Sequence, residues 1–433
     1  NIGENGSTYD DGEDTFITGT DPNNYVWYSG KLWRAVSINN EAKTTKLVTQ
    51  WNISAIHYSD ENSKLLYDES YIKEWLNDES VDGFLGNLRE PEKFIKMDSK
   101  WNATLTTSTS KPEKTTIIED PVGLLNVYEY TMSYKGTNYS NGYLNNGLSW
   151  WTLTMDNSNV VRIVTYTGSI DTTTGDFNGI RPSINLKSDV KIVSGSGTVD
   201  DPYRLNGDDD TDLNGVKLNT RYSGEYIRFG SGENNLYRIV SHETKNLTKI
   251  VSNLPLKDSG TFKLINFGNN KTFSSTNTIG AFLNGDYLTK YVDNYHTNMI
   301  EDETTWYLGE IGQNTNSSYK LAKYVSNNDN ILTSKIAQVK VGLLRYGELL
   351  SGQFERYVIK GGTSSTKLTT DYWTLTPEYS SSKVFRVRNH GAINSSIPNS
   401  YPLGIKPALN LKENVIITSG DGTKNNPFQL SIE

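Results

Sequence analysis

Residues 179–186 read GIRPSINL and residues 404–411 read GIKPALNL. Each stretch leads into a glycine-rich turn and a short closing segment, VSGSGTVDDPYRL after the first and TSGDGTKNNPFQL after the second. Working outward from these endings, the chain pairs with itself. WTLT begins at Trp151 and again at Trp373, and VVRIV (Val160–Val164) faces VFRVR (Val384–Arg388). VGLL occurs at Val122 and Val341, and IKEWLN (Ile72–Asn77) matches IGAFLN (Ile279–Asn284). YVWYSGKLWRAVSI from Tyr25 matches YIRFGSGENNLYRIVS from Tyr226, which sets Arg34 against Arg238. The spacing between partners widens from Tyr25/Tyr226 to Pro182/Pro407 almost steadily, with a one-residue slip near Gly168/Gly391. Order preserved while loops lengthen is what tandem duplication produces, because chance matches would scramble it. Two domains follow, 1–206 and 207–433, with 207–221 as an acidic linker that opens GDDDTDLNG.

The length of 433 residues suits two domains. Mean hydropathy is −0.58, and 27 Tyr and 36 Gly sit among many Asn and Thr. Tyr and Thr favour strands while Asn and Gly favour turns, so a strand- and loop-rich chain is expected. A net charge of −8 argues against a nucleic-acid partner, which needs basic stripes. Cysteine is absent, which excludes disulfides, thiolate catalysis and Cys-ligated zinc. No apolar run approaches the ~18 residues of a membrane span. The opening NIGENGSTYDDGED shows no Met, signal peptide or anchor; either such a segment was removed or the protein reaches its destination without one.

Within each copy the order of elements is legible. Alternation through Tyr25–Ile38 predicts a hairpin turning at Ser29-Gly30, and KTTKLVTQ continues it as a strand. Ser70 is placed to cap a helix whose Ile72, Trp75 and Leu76 share one face, as Ile279, Phe282 and Leu283 do in the second copy. A further helix is expected from Pro91 through EKFIKM, and VGLLNVYEY reads as a buried strand entering a turn. The last third of each copy reads as strands only. Helices between strands give an α+β domain whose first and last strands pair.

VGLL, WTLT followed by Met or Pro, VFRVRNHGAI and GI(R/K)P…LNL together resemble an uncharacterised domain of surface and secreted proteins of Firmicutes. That family often carries a Trp-Leu-Arg-Ser-Pro-like stretch where this chain has WTLT. The order of Trp strand, variable loops, Gly and closing Arg strand resembles C-type-lectin-like folds. YVWYSGKLWRAVSI is similar to the start of Firmicutes ectodomains that follow a type IV prepilin-like helix. The resemblance implies tandem lectin-like domains in a non-catalytic extracellular protein of a Gram-positive cell surface. Adhesion or ligand binding is the implied role, with a host or environmental surface, glycan or protein, or other pilus subunits as partner. The alternatives are a structural filament or spacer subunit and, third, a carbohydrate-active enzyme. The cysteine chemistry of formylglycine-generating relatives is excluded.

Lectin-like folds place their ligand face on the late loops, here Met155 to Asn178 and Pro377 to Leu403. Tyr166, Tyr379, Arg388, Asn389 and His390 are the binding candidates there. Asp210, Asp212 and Asn214 with Gly215 match the first half of a calcium loop, in which alternate oxygens turn inward. The twelfth position, which requires Glu or Asp, is Arg221, so a solvated acidic linker is the plainer reading; calcium, if bound, belongs at those three residues. No other cofactor is expected. His57, His242, His296 and His390 form no ligand pair and read as surface or loop residues. Glu69 with Glu74, and Glu301 with Asp302, are the acid pairs a glycosidase would need. Trp151 and Trp373 begin mostly apolar strands and read as core. Arg34/Arg238 and Arg181/Lys406 read as strand cations that pair a carboxylate or lie over the core.

Overall fold

The alternating run from Tyr25 folds into a hairpin: Tyr25–Tyr28 pairs antiparallel with Lys31–Asn39 across Ser29 and Gly30, whose φ values are 52° and 72°. Two successive positive φ angles give the turn whose twist matches that of the strands. The computed structural model describes residues 2–59, 66–136, 138–157, 160–174, 178–311, 335–355, 357–358, 365–366 and 369–433. Contacts divide it into two units. The first comprises Asn1–Asp209, Gly352–Leu368 and His390–Ala392; the second comprises Asp210–Ser351, Thr369–Asn389 and Ile393–Glu433. The boundary at Asp209/Asp210 falls inside the acidic linker.

In the first unit Thr45–Thr49 extends the hairpin and Ser183–Leu186, from GIRPSINL, pairs along it. The closing strand Tyr203–Leu205 runs parallel to Tyr25–Tyr28, so first and last strands lie side by side. A second sheet carries the meander Trp150–Asn157, Val160–Val164 and Ile170–Thr173, with Asn178–Ile180 and Ser54–Ile56 beside it. The second unit repeats this plan. Tyr226–Arg228, Leu236–Ser241, Thr248–Ser252 and Ala408–Leu411 are successive neighbours, and Ile227 bridges Phe428 in parallel. Tyr372–Pro377, Val384–Val387 and Ile393–Ser396 form its meander. The chain is β-rich α+β, with short helices. Among the described residues no helix is long and apolar enough to cross a membrane.

The repeated words of the sequence mark repeated joints. Ser70 caps Tyr71–Leu76 by accepting from the Lys73 amide, and Asn277 caps Thr278–Leu283 the same way through Gly280. The Asn that ends EWLN and AFLN brackets the Val of VGLL. Asn77 accepts from the Val122 amide at 3.0 Å and donates to its carbonyl at 3.1 Å; Asn284 does the same to Val341 at 2.9 and 3.0 Å. The Gly of VGLL lies under an indole: a Cβ on Gly123 would stand 2.2 Å from Trp101, and one on Gly342 2.7 Å from Trp306. Both Trp151 and Trp373 are buried.

Four expectations change. The helix at Pro91 is one turn, Pro91–Phe94, because Ile95 leaves it to bridge Leu186. VGLLNVYEY is extended only at its start, where Gly123 bridges Ser183; Val127–Thr131 is a helix with an Asn126/Glu129 capping box. An extra hairpin, Ser7–Asp10 with Asp14–Thr18, precedes the first copy and pairs with Ser37–Asn39. Finally, Trp151 faces Ile163 and Trp373 faces Arg386, so Arg386 matches Ile163 and not Arg162. Aligning VVRIV with VFRVR by their shared Arg created the one-residue slip; the strand register removes it.

Candidate functional site

Most polar residues that recur in both copies are tied into the framework. Lys46 bonds Glu129 at 2.5 Å and lies 5.0 Å from the Trp101 ring; Lys249 bonds Glu348 at 2.8 Å and lies 5.0 Å from Trp306. Each Glu also accepts the backbone amide three residues before it, Asn126 or Arg345. In WTLT the first Thr donates to the neighbouring strand, Thr152 to Arg162 O and Thr374 to Phe385 O. The second accepts an amide from the VGLL side, Thr154 from Val127 and Thr376 from Tyr346. Arg34 stacks 3.7 Å from the Tyr25 ring and Arg238 4.3 Å from Tyr226; Arg181 lies 4.9 Å from Trp150 and Lys406 4.9 Å from Tyr372. Burial and the charge of Arg34 press Arg181 down to about 9. Of these trios only Glu129/Glu348 keeps the spacing of its neighbours, 219 as for Gly123/Gly342; Lys46/Lys249 at 203 and Trp101/Trp306 at 205 fall below the preceding matches at 204 and 207, so an ordered ladder passes over them.

Each late segment contains short strands, and the candidate residues sit on the turns beside them; residues 158–159 and 175–177 of the first lie outside the described residues. Tyr166 lies in the turn after Val160–Val164, and Arg388 and Asn389 in the turn after Val384–Val387. Tyr379 lies in the turn before Val384–Val387, at the other end of that strand. The strand therefore separates Tyr379 from Arg388 and Asn389. Within the first unit, Tyr166 stacks on His390 with ring centroids 5.2 Å apart.

In the second unit the turn after Val387 is organised by Asp371. Its Oδ1 accepts the Asn389 amide at 2.7 Å, and its Oδ2 lies 3.4 Å from Arg386 Nη1 and 3.9 Å from Arg388 Nε. Burial, opposed by Asp371 and reinforced by Arg388, holds the Arg386 guanidinium below its ordinary value. Two guanidiniums around one carboxylate leave net positive charge, and Tyr401, which also acts on Arg386, is 55% exposed. Planar donor forks beside an exposed ring suit hydroxyl- or carboxylate-bearing ligands.

Charges of both signs meet in the linker. Arg221, the twelfth residue of the would-be calcium loop, places Nη1 3.0 Å from Asp210 Oδ2 and also pairs with Glu225 at 2.7 Å. A cation thus holds the first ligand where the loop needs its terminal acid, while Asp212 and Asn214 are exposed. Nor is the linker solvated throughout: Asp208 is buried, accepts from the Ser29 amide at 3.1 Å and pairs with Arg89 at 3.3 Å. Among the described residues no group of three or more His, Asp or Glu gathers as a metal site. His57, expected at the surface or on a loop, lies on the loop after Ser54–Ile56 but is buried there, with Nδ1 2.6 Å from Ser59 O. Glu69 ends the one-turn helix Tyr67–Glu69 and Glu74 lies within the next helix, Tyr71–Leu76, both exposed, while Glu301 and Asp302 lie on a loop. Comparison with protein-family models, curated proteins and solved structures finds no match.

Proposed function

We propose that this chain is a non-catalytic, extracellular binding protein of the cell surface, built from two C-type-lectin-like copies. Ligand contact would fall to the late turns of the second copy. One contrast carries the reading. Polar side chains common to both copies are bound into the framework, whereas the exposed rings Tyr379 and Tyr401 and the half-buried Arg388 and Asn389, which differ between copies, sit on turns and loops. Recognition residues commonly occupy such turns on a rigid scaffold. A glycan array and a cell-attachment assay with the full chain test this. Arg388→Ala with Tyr401→Ala should reduce retention at least tenfold without moving the melting temperature. Undiminished retention in both assays would remove these turns as the site.

A further inference from the structure

Two equivalent strands of the two copies differ in what covers them. Ile192–Ser194 hairpins with the closing strand of the first unit, Ile192 facing Leu205; Val415–Ser419 does so in the second, Ile417 facing Leu430. Both carry a bulge at the same place, between Ile192 and Ser194 and between Ile417 and Ser419. Yet Ile417 is 0% exposed and Ile192 is 45% exposed.

The covering segment accounts for the difference. In the second unit Gly215 donates its amide to Ile417 O at 2.8 Å, Ile417 donates to Val216 O at 2.8 Å, and Lys217 bridges Ile416. Leu218 follows, fully buried. A turn at Gly215 (φ 84°), a single bridging residue and the helical turn that starts at Leu218 therefore cover that sheet edge despite the bulge. In the first unit the chain preceding the first hairpin goes elsewhere, with Asp14–Phe16 pairing along Ser37–Asn39. Ile192–Ser194 remains the terminal strand of its sheet among the described residues, with Ile192, Val193 and nearby Val199 at 45%, 47% and 54% exposure. An exposed aliphatic edge is a template for strand addition.

We propose that the outer edge of Ile192–Ser194 accepts an extended strand from another polypeptide, with the chemistry of Gly215–Leu218 but an acidic residue where that segment has Lys217. The sequence matches set Lys191, which is exposed, against Ile416, whose partner is Lys217. A strand docking here places its corresponding residue opposite a lysine, and opposite charges across a strand pair attract.

The probe is a fluorescent peptide spanning residues 210–219 of this chain, in the natural form and with Lys217→Glu, titrated by anisotropy against the full chain. The Lys217→Glu peptide should bind saturably and at least threefold more tightly than the natural one. Ile192→Lys should weaken it at least tenfold with an unchanged melting temperature, and Lys191→Glu should reverse the preference between the peptides. Absence of saturable binding, binding indifferent to Ile192→Lys, or no reversal with Lys191→Glu overturns the proposal. Self-association of the chain that Ile192→Lys abolishes would assign the edge to a second copy and equally overturn it.

Discussion

Lys249 is a buried cation of the second unit held by two carboxylates. It is 3% exposed and bonds both Glu243 and Glu348, while Arg345 Nη1 lies 3.0 Å from Glu243 and 3.2 Å from Glu348. Removing one member of such a group leaves the rest as uncompensated buried charge, so Lys249→Met should cost about 3–5 kcal/mol in denaturant unfolding. Lys46, at 17% exposure with a single carboxylate partner, should lose far less, nearer the ~1 kcal/mol of partly exposed pairs. Burial works against the Lys249 charge, but Glu243 and Glu348 outweigh it and hold its pKa above the ordinary 10.5. Because the folded value is the higher one, its stabilisation is complete below 10.5 and is lost as pH rises through the folded value. Alkaline melts should therefore fall more steeply for the parent chain than for Lys249→Met. Parallel curves would contradict this.

At the scale of elements, the joints between strands and helices set the cost of change. Gly342→Ala would drive a methyl into the Trp306 ring and should cost roughly 1–3 kcal/mol by overpacking. Trp373 is 1% exposed, packs 5.5 Å from Phe267 and donates to Ile265 O at 2.8 Å. Trp373→Ala should cost about 3–5 kcal/mol, whereas Arg388→Ala on the turn should stay within about 0.5 kcal/mol. Thermal unfolding of these three variants separates framework from turn. A normally melting Trp373→Ala would remove that Trp from the core. The meander also shows why letter matching failed at VVRIV and VFRVR. Side chains alternate faces, so a one-residue slip exchanges the buried and exposed sets, and only the pairing of Trp373 with Arg386 fixes which is which.

For the whole molecule, the division at Asp209/Asp210 predicts that residues 1–209 and 210–433, made separately, each unfold cooperatively. Failure of both to do so would mean that the copies share one core. The linker supplies a second expectation. With Arg221 already on Asp210, millimolar Ca²⁺ and EGTA should give the same melting temperature; a calcium-dependent rise would show that the ion displaces the guanidinium.

The sequence by itself determined what depends on neighbouring residues and on order: the duplication, the Ser29-Gly30 hairpin, the helix cap at Ser70, and the buried faces of EWLN and AFLN. The Asn126-Glu129 box was equally local and was hidden only by the apolar run before it. Tertiary structure alone decided which distant residues meet. Lys46 reaches Glu129 and Trp101, Arg221 takes the carboxylate that a calcium loop would use, and Asp371 gathers Arg386 and Arg388. Tertiary structure also left Ile192 exposed while covering its twin Ile417. The physical reason is one of range. Turns and caps are set by φ, ψ and hydrogen bonds within a few residues, whereas these contacts follow from strand register and from the path of a segment that two similar sequences send to different edges.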